Sequence, residues 1–426
     1  MIEPPNPNPE TQESEIDPTA YRFSWRYFPL GAQILSIAFG ALVLVPILTG
    51  LNPNVALLTA GLGTLVFQWV TGGKVPVFLA SSFAFIAPIQ LGVEKYGLPE
   101  TLSGLMTAGV VYLLLSLLIV WRGSGFLLRL LPPIVTGPVI MVIGLSLAPI
   151  AIQMASNAGE GYSEGAALAV SGSALLATLL TVLFSRGWLR LVPILTGLFV
   201  GYIVAFPLGM VDLTTIAQAP WFALPEYTLP KFHLPSILFI VPVAIAPAIE
   251  HFGDILAISA VSQKDYFRDP GIHRTLLGDG LATSLAACLG GPPNTTYSEV
   301  TGAVALIKIF NAGIMTWAAI LAIVLAFVGK LGAFLRSIPV PAMGGILVIL
   351  FGTIVVVGMN SLVRSREDLM KPRNLAIASI ILVFGVGGLS IKAGEFALEG
   401  IGLSGIFGVL MNWLLPESGE NQGDHS

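Results

Sequence analysis

The chain has 426 residues, of which 55% are hydrophobic and only 10% charged, with a formal net charge of -4. Soluble domains carry about 25% charged residues, so this composition excludes a water-soluble globular protein, and with no basic patch or arm it excludes nucleic acid as a partner. The single cysteine, Cys288, excludes an intramolecular disulfide and a CxxC metal or redox site.

Residues 1–30 are acidic and proline-rich, unlike the basic start of a cleaved signal peptide, and read as a disordered cytoplasmic tail. Apolar helices of about 20 residues cross a bilayer. Fourteen candidate spans follow, near 31–49, 54–72, 75–92, 101–121, 132–152, 166–185, 188–209, 236–259, 275–290, 292–310, 312–333, 340–359, 372–390 and 394–416. The apolar runs are continuous and do not alternate every second residue, which excludes a membrane barrel. A Pro- and aromatic-rich stretch, 211–235, with W-F-A-L-P at 221–225, separates the seventh and eighth spans as an extracellular loop, and 417–426 form a second tail. An even number of spans puts both termini on one side. Fifteen of the 20 Lys and Arg residues then fall on that side, which by the positive-inside bias makes both termini cytoplasmic and the chain a multi-pass protein of the inner (plasma) membrane.

Acids are rare in the apolar runs and therefore informative. The eighth span contains P-A-I-E-H-F-G-D at 247–254. An ionisable group inside the bilayer costs at least about 2.5 kcal/mol at the helix centre, so it faces a bundle interior or a cavity. Glu250 and Asp254, four apart, share one helix face, whereas His251 lies about 100° around and is expected to bond a neighbour. The tenth span opens with G-G-P-P-N-T-T-Y-S-E-V-T-G at 290–302. Pro292 and Pro293 withhold two donors, and the polar 294–298 run cannot face lipid unpaired, so this is an interrupted helix lining a cavity. Glu299 then sits near a helix N-terminus, where free N–H groups and the dipole hold a polar ligand. Asp279, in the ninth span, is expected to bond another helix, and the charged 264–274 loop to be a solvated ion-pair network.

The two halves of the chain resemble each other. F-G-A at 39–41 recurs as F-G-D at 252–254, S-S-F-A at 81–84 recurs in kind as T-T-Y-S at 295–298, and P-I-V-T-G-P-V-I-M-V-I-G at 133–144 aligns with P-A-M-G-G-I-L-V-I-L-F-G at 341–352. Three matches in one order at nearly one offset indicate duplication. With seven spans per half, an odd number, the repeats are inverted. The expected fold is an all-α polytopic membrane protein of two inverted seven-segment repeats with discontinuous third and tenth spans, an architecture of secondary transporters whose broken helices mark the site.

The motifs S-S-F-A-F-I-A-P (81–88), W-F-A-L-P (221–225), E-H-F-G (250–253), K-D-Y-F-R-D-P-G-I-H-R (264–274), P-N-T-T-Y-S-E (293–299) and P-A-M-G-G (341–345) identify a family. The chain resembles the nucleobase-ascorbate transporters, and within them the bacterial uracil permeases. The resemblance implies a core domain formed by 31–125 and 236–335, and a gate domain formed by 126–210 and 336–416. It implies a proton or sodium symporter, a homodimer, and no cofactor or resident metal. It also implies that Glu250 and Glu299 accept hydrogen bonds from ring N–H groups, that backbone N–H groups of Phe83 and Ser298 reach ring carbonyls, and that Tyr297 flanks the site.

Three positions depart from the uracil permeases. Asp254 stands where they carry a histidine, and resembles the purine and ascorbate branches. Glu299 resembles the uracil branch, since purine carriers commonly have Gln. Phe351 occupies a gate-domain position that is Tyr in a close uracil permease. Uracil is therefore the favoured substrate and a xanthine-like purine the next.

The expected function is nucleobase uptake by proton symport through alternating access, with Glu250, Asp254 or Glu299 carrying the proton. The alternative is a sodium-coupled purine or ascorbate carrier, with sodium at the same oxygen-rich site. An anion transporter of the related sulfate and bicarbonate type would share the fold, but acids at the broken helices repel its substrate. An intramembrane enzyme is not expected. The four histidines, His233, His251, His273 and His425, provide no helical metal-ligand spacing.

Overall fold

The computed structural model describes residues 20–157, 159, 161–393 and 396–416; the rest of the expected tails, 1–19 and 417–426, lies outside the described residues. Packing begins before the first expected span. Trp317 gathers the N-terminal segment, with ring centroids 4.8 Å from Phe23, 4.5 Å from Trp25 and 5.4 Å from Phe28. Its Nε1 donates to Ser24 O at 2.9 Å, and Asn311 Nδ2 donates to Ala20 O at 3.0 Å.

The first half runs α1 (Phe28–Thr49), α2 (Pro53–Thr71), β1 (Leu79–Ser81), a 3-10 turn (Phe83–Phe85), α3 (Ile86–Tyr96), α4 (Leu98–Arg122), α5 (Ser124–Leu130), α6 (Pro133–Ser156), α7 (Glu164–Phe184) and α8 (Pro193–Ala205). After α9 (Leu213–Gln218), in the loop, the second half runs α10 (Leu234–Ile240), a 3-10 turn (Val241–Ala244), α11 (Ile245–Ser262), α12 (Ile272–Cys288), β2 (Asn294–Thr296), α13 (Ser298–Ile307), α14 (Gly313–Ala326), α15 (Gly329–Arg336), α16 (Val340–Ser365), α17 (Pro372–Val386), a hairpin of β3 (Ser390–Ala393) and β4 (Phe396–Glu399), and α18 (Gly400–Leu414). Proline occupies the first turn of α1, α2, α4, α6, α8, α10, α16 and α17. There its missing N–H costs nothing and its fixed φ suits the helix, so prolines set many of the starts.

The chain is a multi-pass membrane protein. Among the described residues, seven helical stretches are long and apolar enough to cross a membrane, and α8, α14, α17 and α18 are shorter apolar helices of 10–17 residues. The seventh, eleventh, thirteenth and fourteenth expected spans are thus shorter as helices than their apolar runs. The eighth, expected over 236–259, is one helical stretch, Leu234–Ser262, in which a 3-10 turn joins α10 to α11. Pro242 and Pro247 account for the tightened turn: each lacks a donor, and a proline ring clashes with the carbonyl four residues back.

The broadest packing is between α6 and α16. A Cβ added at Gly137 would meet Gly358 O at 2.9 Å, and one added at Gly358 would meet Gly137 O at 2.6 Å, so only glycine lets these backbones touch. α12 packs against both α4 and α2, and α2 also packs against α14. The loop contacts both halves. Ala223 N donates to Phe327 O and Gly329 N to Trp221 O, both at 3.0 Å, while Lys231 pairs with Glu100 at 3.1 Å.

Between these helices the two interrupted segments meet. β1 and β2 pair antiparallel, Leu79 with Thr296, Ala80 with Thr295 and Ser81 with Asn294, and Ser82 N donates to Pro293 O at 2.9 Å. The backbone that the prolines and polar residues release from helix is satisfied by its counterpart from the other half, as membrane depth demands.

Candidate functional site

The strand pair is held by side chains around it. Asn294 Nδ2 donates to Thr59 O at 3.0 Å, Thr283 Oγ1 donates to Asn294 O at 2.7 Å, and Leu79 N donates to Thr64 Oγ1 at 3.0 Å. Gly63 makes room: a Cβ there would meet Asn294 Nδ2 at 2.4 Å. From this fixed crossing each segment enters a helix. Phe83 begins a 3-10 turn leading into α3, and Ser298 is the first residue of α13, with Glu299 in its first turn. The first N–H groups of a helix have no partner within it, so both starts present donors.

Three rings gather at these starts. Phe83 lies 6.3 Å from Tyr297, tilted by 36°, and 6.3 Å from Phe351 of α16, edge to face at 83°. All three are buried, at 7%, 4% and 1% exposure. Phe351 thus reaches the Phe83 ring from α16.

The acids divide by access. Glu250 and Glu299 are partly accessible, whereas Asp254 is buried at 3% exposure. Glu250 and Asp254 lie one turn apart on α11, and Glu299 lies in the first turn of α13, which packs on α11. Asp254 Oδ2 accepts from Thr296 Oγ1 at 2.8 Å, which ties α11 to β2. The acids occupy only the second half: at the first half's equivalent positions stand Ile37, Ala41 and Phe85. Among the described residues no group of three or more His, Cys, Asp or Glu could hold a metal ion.

Sequence reasoning left the partners of His251 and Asp279 unnamed; they are each other. His251 Nδ1 lies 3.2 Å from Asp279 Oδ2 with both side chains fully buried, and its Nε2 lies 3.0 Å from Thr275 Oγ1. Tyr112, on α4, is also fully buried and within electrostatic range of Asp279 and Glu250. Thr296 and Tyr112 gave no signal beyond being polar in apolar surroundings. Of Ser298 only the backbone position enters the description.

A family model described as the Permease family, for xanthine and uracil permeases, matches residues 26–394. The chain belongs to this permease family. A probable uracil permease of Pasteurella multocida (strain Pm70) is 53% identical to the permease over 389 residues, covering 91% of this chain and 93% of its own length. The uracil permease of Bacillus caldolyticus is 43% identical over 415 residues, covering 94% and 96%. That of Escherichia coli (strain K12) is 40% identical over 383 residues, covering 89% of each. Among solved structures, the permease resembles the transmembrane domain of the cyanobacterial bicarbonate transporter BicA, with a TM-score of 0.62 at 15% identity over 92% of this chain and 98% of that one. It also resembles the murine anion transporter Slc26a9 in its inward-facing state, with a TM-score of 0.67 at 11% identity over 93% and 69%. At these identities the likeness is one of fold, and it supports the inverted-repeat architecture.

Proposed function

We propose that the permease imports a nucleobase, uracil before xanthine-like purines, by proton symport through alternating access. The observation that supports this is the pairing of β1 with β2, which brings the start before α3 and the start of α13, with Glu299 in its first turn, together beside the Phe83 and Tyr297 rings, while Asp254, one turn from Glu250 on α11, bonds Thr296 of β2. Uracil is a flat ring with alternating N–H donors and C=O acceptors. Glu250 and Glu299 accept from its N–H groups, and the backbone N–H groups of Phe83 and Ser298 donate to its carbonyls. The rings cover its faces. Such a site rejects analogues lacking those hydrogen bonds, because its own polar groups would be left unpaired. The uracil permeases among its relatives support this choice of substrate.

In this reading 31–125 and 236–335 form a core domain that moves against a gate domain of 126–210 and 336–416, with Phe351 contacting the site from the gate. Both termini are cytoplasmic, the protein is a homodimer in the inner membrane, and Glu250, Asp254 or Glu299 takes up the coupling proton. Carboxylates at the crossing disfavour the anionic substrates of the bicarbonate-type transporters that share the fold.

The test is uptake of radiolabelled uracil, xanthine, uric acid and ascorbate into transporter-deficient cells, with and without a protonophore. Uracil uptake abolished by the protonophore is expected. Uptake that needs sodium and ignores the protonophore overturns the coupling, and failure to take up any nucleobase overturns the substrate class.

A further inference from the structure

The two halves of the permease match in sequence but differ in exposure. On α11, Glu250, Gly253 and Ala257 share one helix face, the acid half-buried and the other two exposed. On α13, Glu299, Gly302 and Leu306 repeat the pattern at the same spacings. A Cβ added at Gly253 or Gly302 would meet nothing within 4 Å. An acid inside the bilayer turns to a cavity and away from lipid, so the open faces continuing from Glu250 and Glu299 line a cavity. In the orientation proposed above, both faces lead from the acids toward the cytoplasm.

The first-half counterparts are shut. Those of the α11 face are Ile37, Gly40 and Leu44 on α1, those of the α13 face are Phe85, Pro88 and Gly92 at and after the start of α3, and all six are buried. Because the repeats are inverted, these lead to the extracellular side. The notch at Gly40 is filled: a Cβ there would stand 2.9 Å from both Cδ1 and Cγ2 of Ile194 on α8. The counterpart of α8 is α18, since L-T-G-L-F at 195–199 recurs as L-S-G-I-F at 403–407, which pairs Ile194 with Gly402. Gly402 does not reach Gly253. It packs instead on the turn before α11, where an added Cβ would lie 3.2 Å from Pro242 Cβ and from Val243 N, about three helical turns short of Gly253.

We propose that Gly40 and Gly253 are paired notches that set the two states of the permease. Ile194 fills the first while the site is open to the cytoplasm, and the first turn of α18 moves over the second, as α8 leaves Gly40, when the site opens outward. Gly402 and Gly253 would then meet as two glycines, so the new contact is between backbones and leaves no room for a side chain. A bulky residue at Gly253 is therefore harmless in the state described here and forbidden in the other. A methyl at Gly40 does the reverse, because it collides with Ile194 in this state.

This inference rests on the alternating-access reading above, so its test includes a readout independent of transport. Cys288 is the only cysteine, and in a Cys288→Ser background Gly253→Cys should react with a membrane-impermeant maleimide added to the cytoplasmic face of membrane vesicles. Adding Gly40→Ala should slow that labelling about tenfold, by disfavouring the state in which Gly253 is open. Adding Ile194→Ala as well should restore the rate. In uptake assays Gly253→Leu should lower the initial rate at least about tenfold, while uracil binding to the purified protein stays within about threefold of the parent's. Its melting temperature should match the parent's. Gly172→Leu, on α7, where an added Cβ also meets nothing within 4 Å, should take up uracil normally. Labelling of Gly253→Cys that ignores Gly40→Ala, or parent-like uptake in Gly253→Leu, overturns the notches. A parent protein that takes up no nucleobase while the labelling follows Gly40→Ala and Ile194→Ala overturns instead the function on which they rest. If Gly253→Leu does not fold, the labelling series decides.

Discussion

The Phe351 and Phe83 rings meet edge to face, centroids 6.3 Å apart at 83°, joining α16 to the start of the third segment's helix. This arrangement, positive edge toward negative face, is the preferred one for aromatic pairs and contributes about 0.5–1.5 kcal/mol beyond the area it buries. It holds one side of the proposed site shut without a polar group.

Phe351→Ala should open that side. Truncating a buried phenylalanine costs about 3–5 kcal/mol of stability, and the loss of cover should raise the KM for uracil roughly tenfold while Phe351→Tyr stays near the parent value. Uptake kinetics and thermal melting check it. A parent-like KM in Phe351→Ala would show that the ring does not border the substrate.

Glu250→Gln and Glu299→Gln each exchange a charged acceptor for an amide that also donates. A hydrogen bond to a charged group is worth about 1.5–3 kcal/mol, so each variant should bind uracil about 10- to 100-fold more weakly. Binding to purified protein by calorimetry decides the matter. Parent-like affinity in both variants removes these acids from the site.

Gly63→Ala tests the crossing itself. The new methyl would stand 2.4 Å from Asn294 Nδ2 and 3.0 Å from Ala282 Cβ. Overpacking of this kind costs about 1–3 kcal/mol, so a lower melting temperature and reduced uptake are expected together. A parent-like melt with parent-like uptake would mean that the strand pair yields without consequence.

Asp212 supplies a control for pH experiments. Hydrogen bonds from Thr214 and Thr215 hold its carboxyl down at about 2, below its ordinary range. The folded-state value is depressed, so its contribution to stability is present above the unfolded value of about 3.9 and is lost as pH falls through about 2. At the pH of uptake it is always ionised. Asp212→Asn should leave the pH profile of transport unmoved, and a shifted profile would place titration outside the buried acids.

Much of the architecture was legible because lipid penalises irregular backbone and buried charge. The interrupted segments announced themselves through Pro292, Pro293 and the polar residues behind them. Glu250, Asp254 and Glu299 stood out against apolar neighbours, and first-turn prolines marked helix starts. Other features depend on contacts between residues distant in the chain. His251 and Asp279 are 28 positions apart, and nothing local to either names the other. The 3-10 turn at 241–244 arises from prolines that apolar composition concealed, and the packing of Phe23, Trp25 and Phe28 on Trp317 joins segments nearly 300 residues apart. The spans outrun the helices at α8, α14, α17 and α18, past the last turn in α14 and α17 and on both sides of α8 and α18.

The ladder between β1 and β2 has a consequence for the evolution of selectivity. Main-chain bonds between β1 and β2 rivet the origins of the two short helices to each other, and the side chains around them only brace that join, so the gauge between the Phe83 and Ser298 amides is set by peptide geometry. In the proposed site, a molecule that bridges them is measured against a ruler that substitutions away from the ladder and its braces leave intact. Drift at Asp254, Glu299 or Phe351 can change which edge atoms are matched, whereas a change in the span of the cargo calls for rebuilding the rungs themselves.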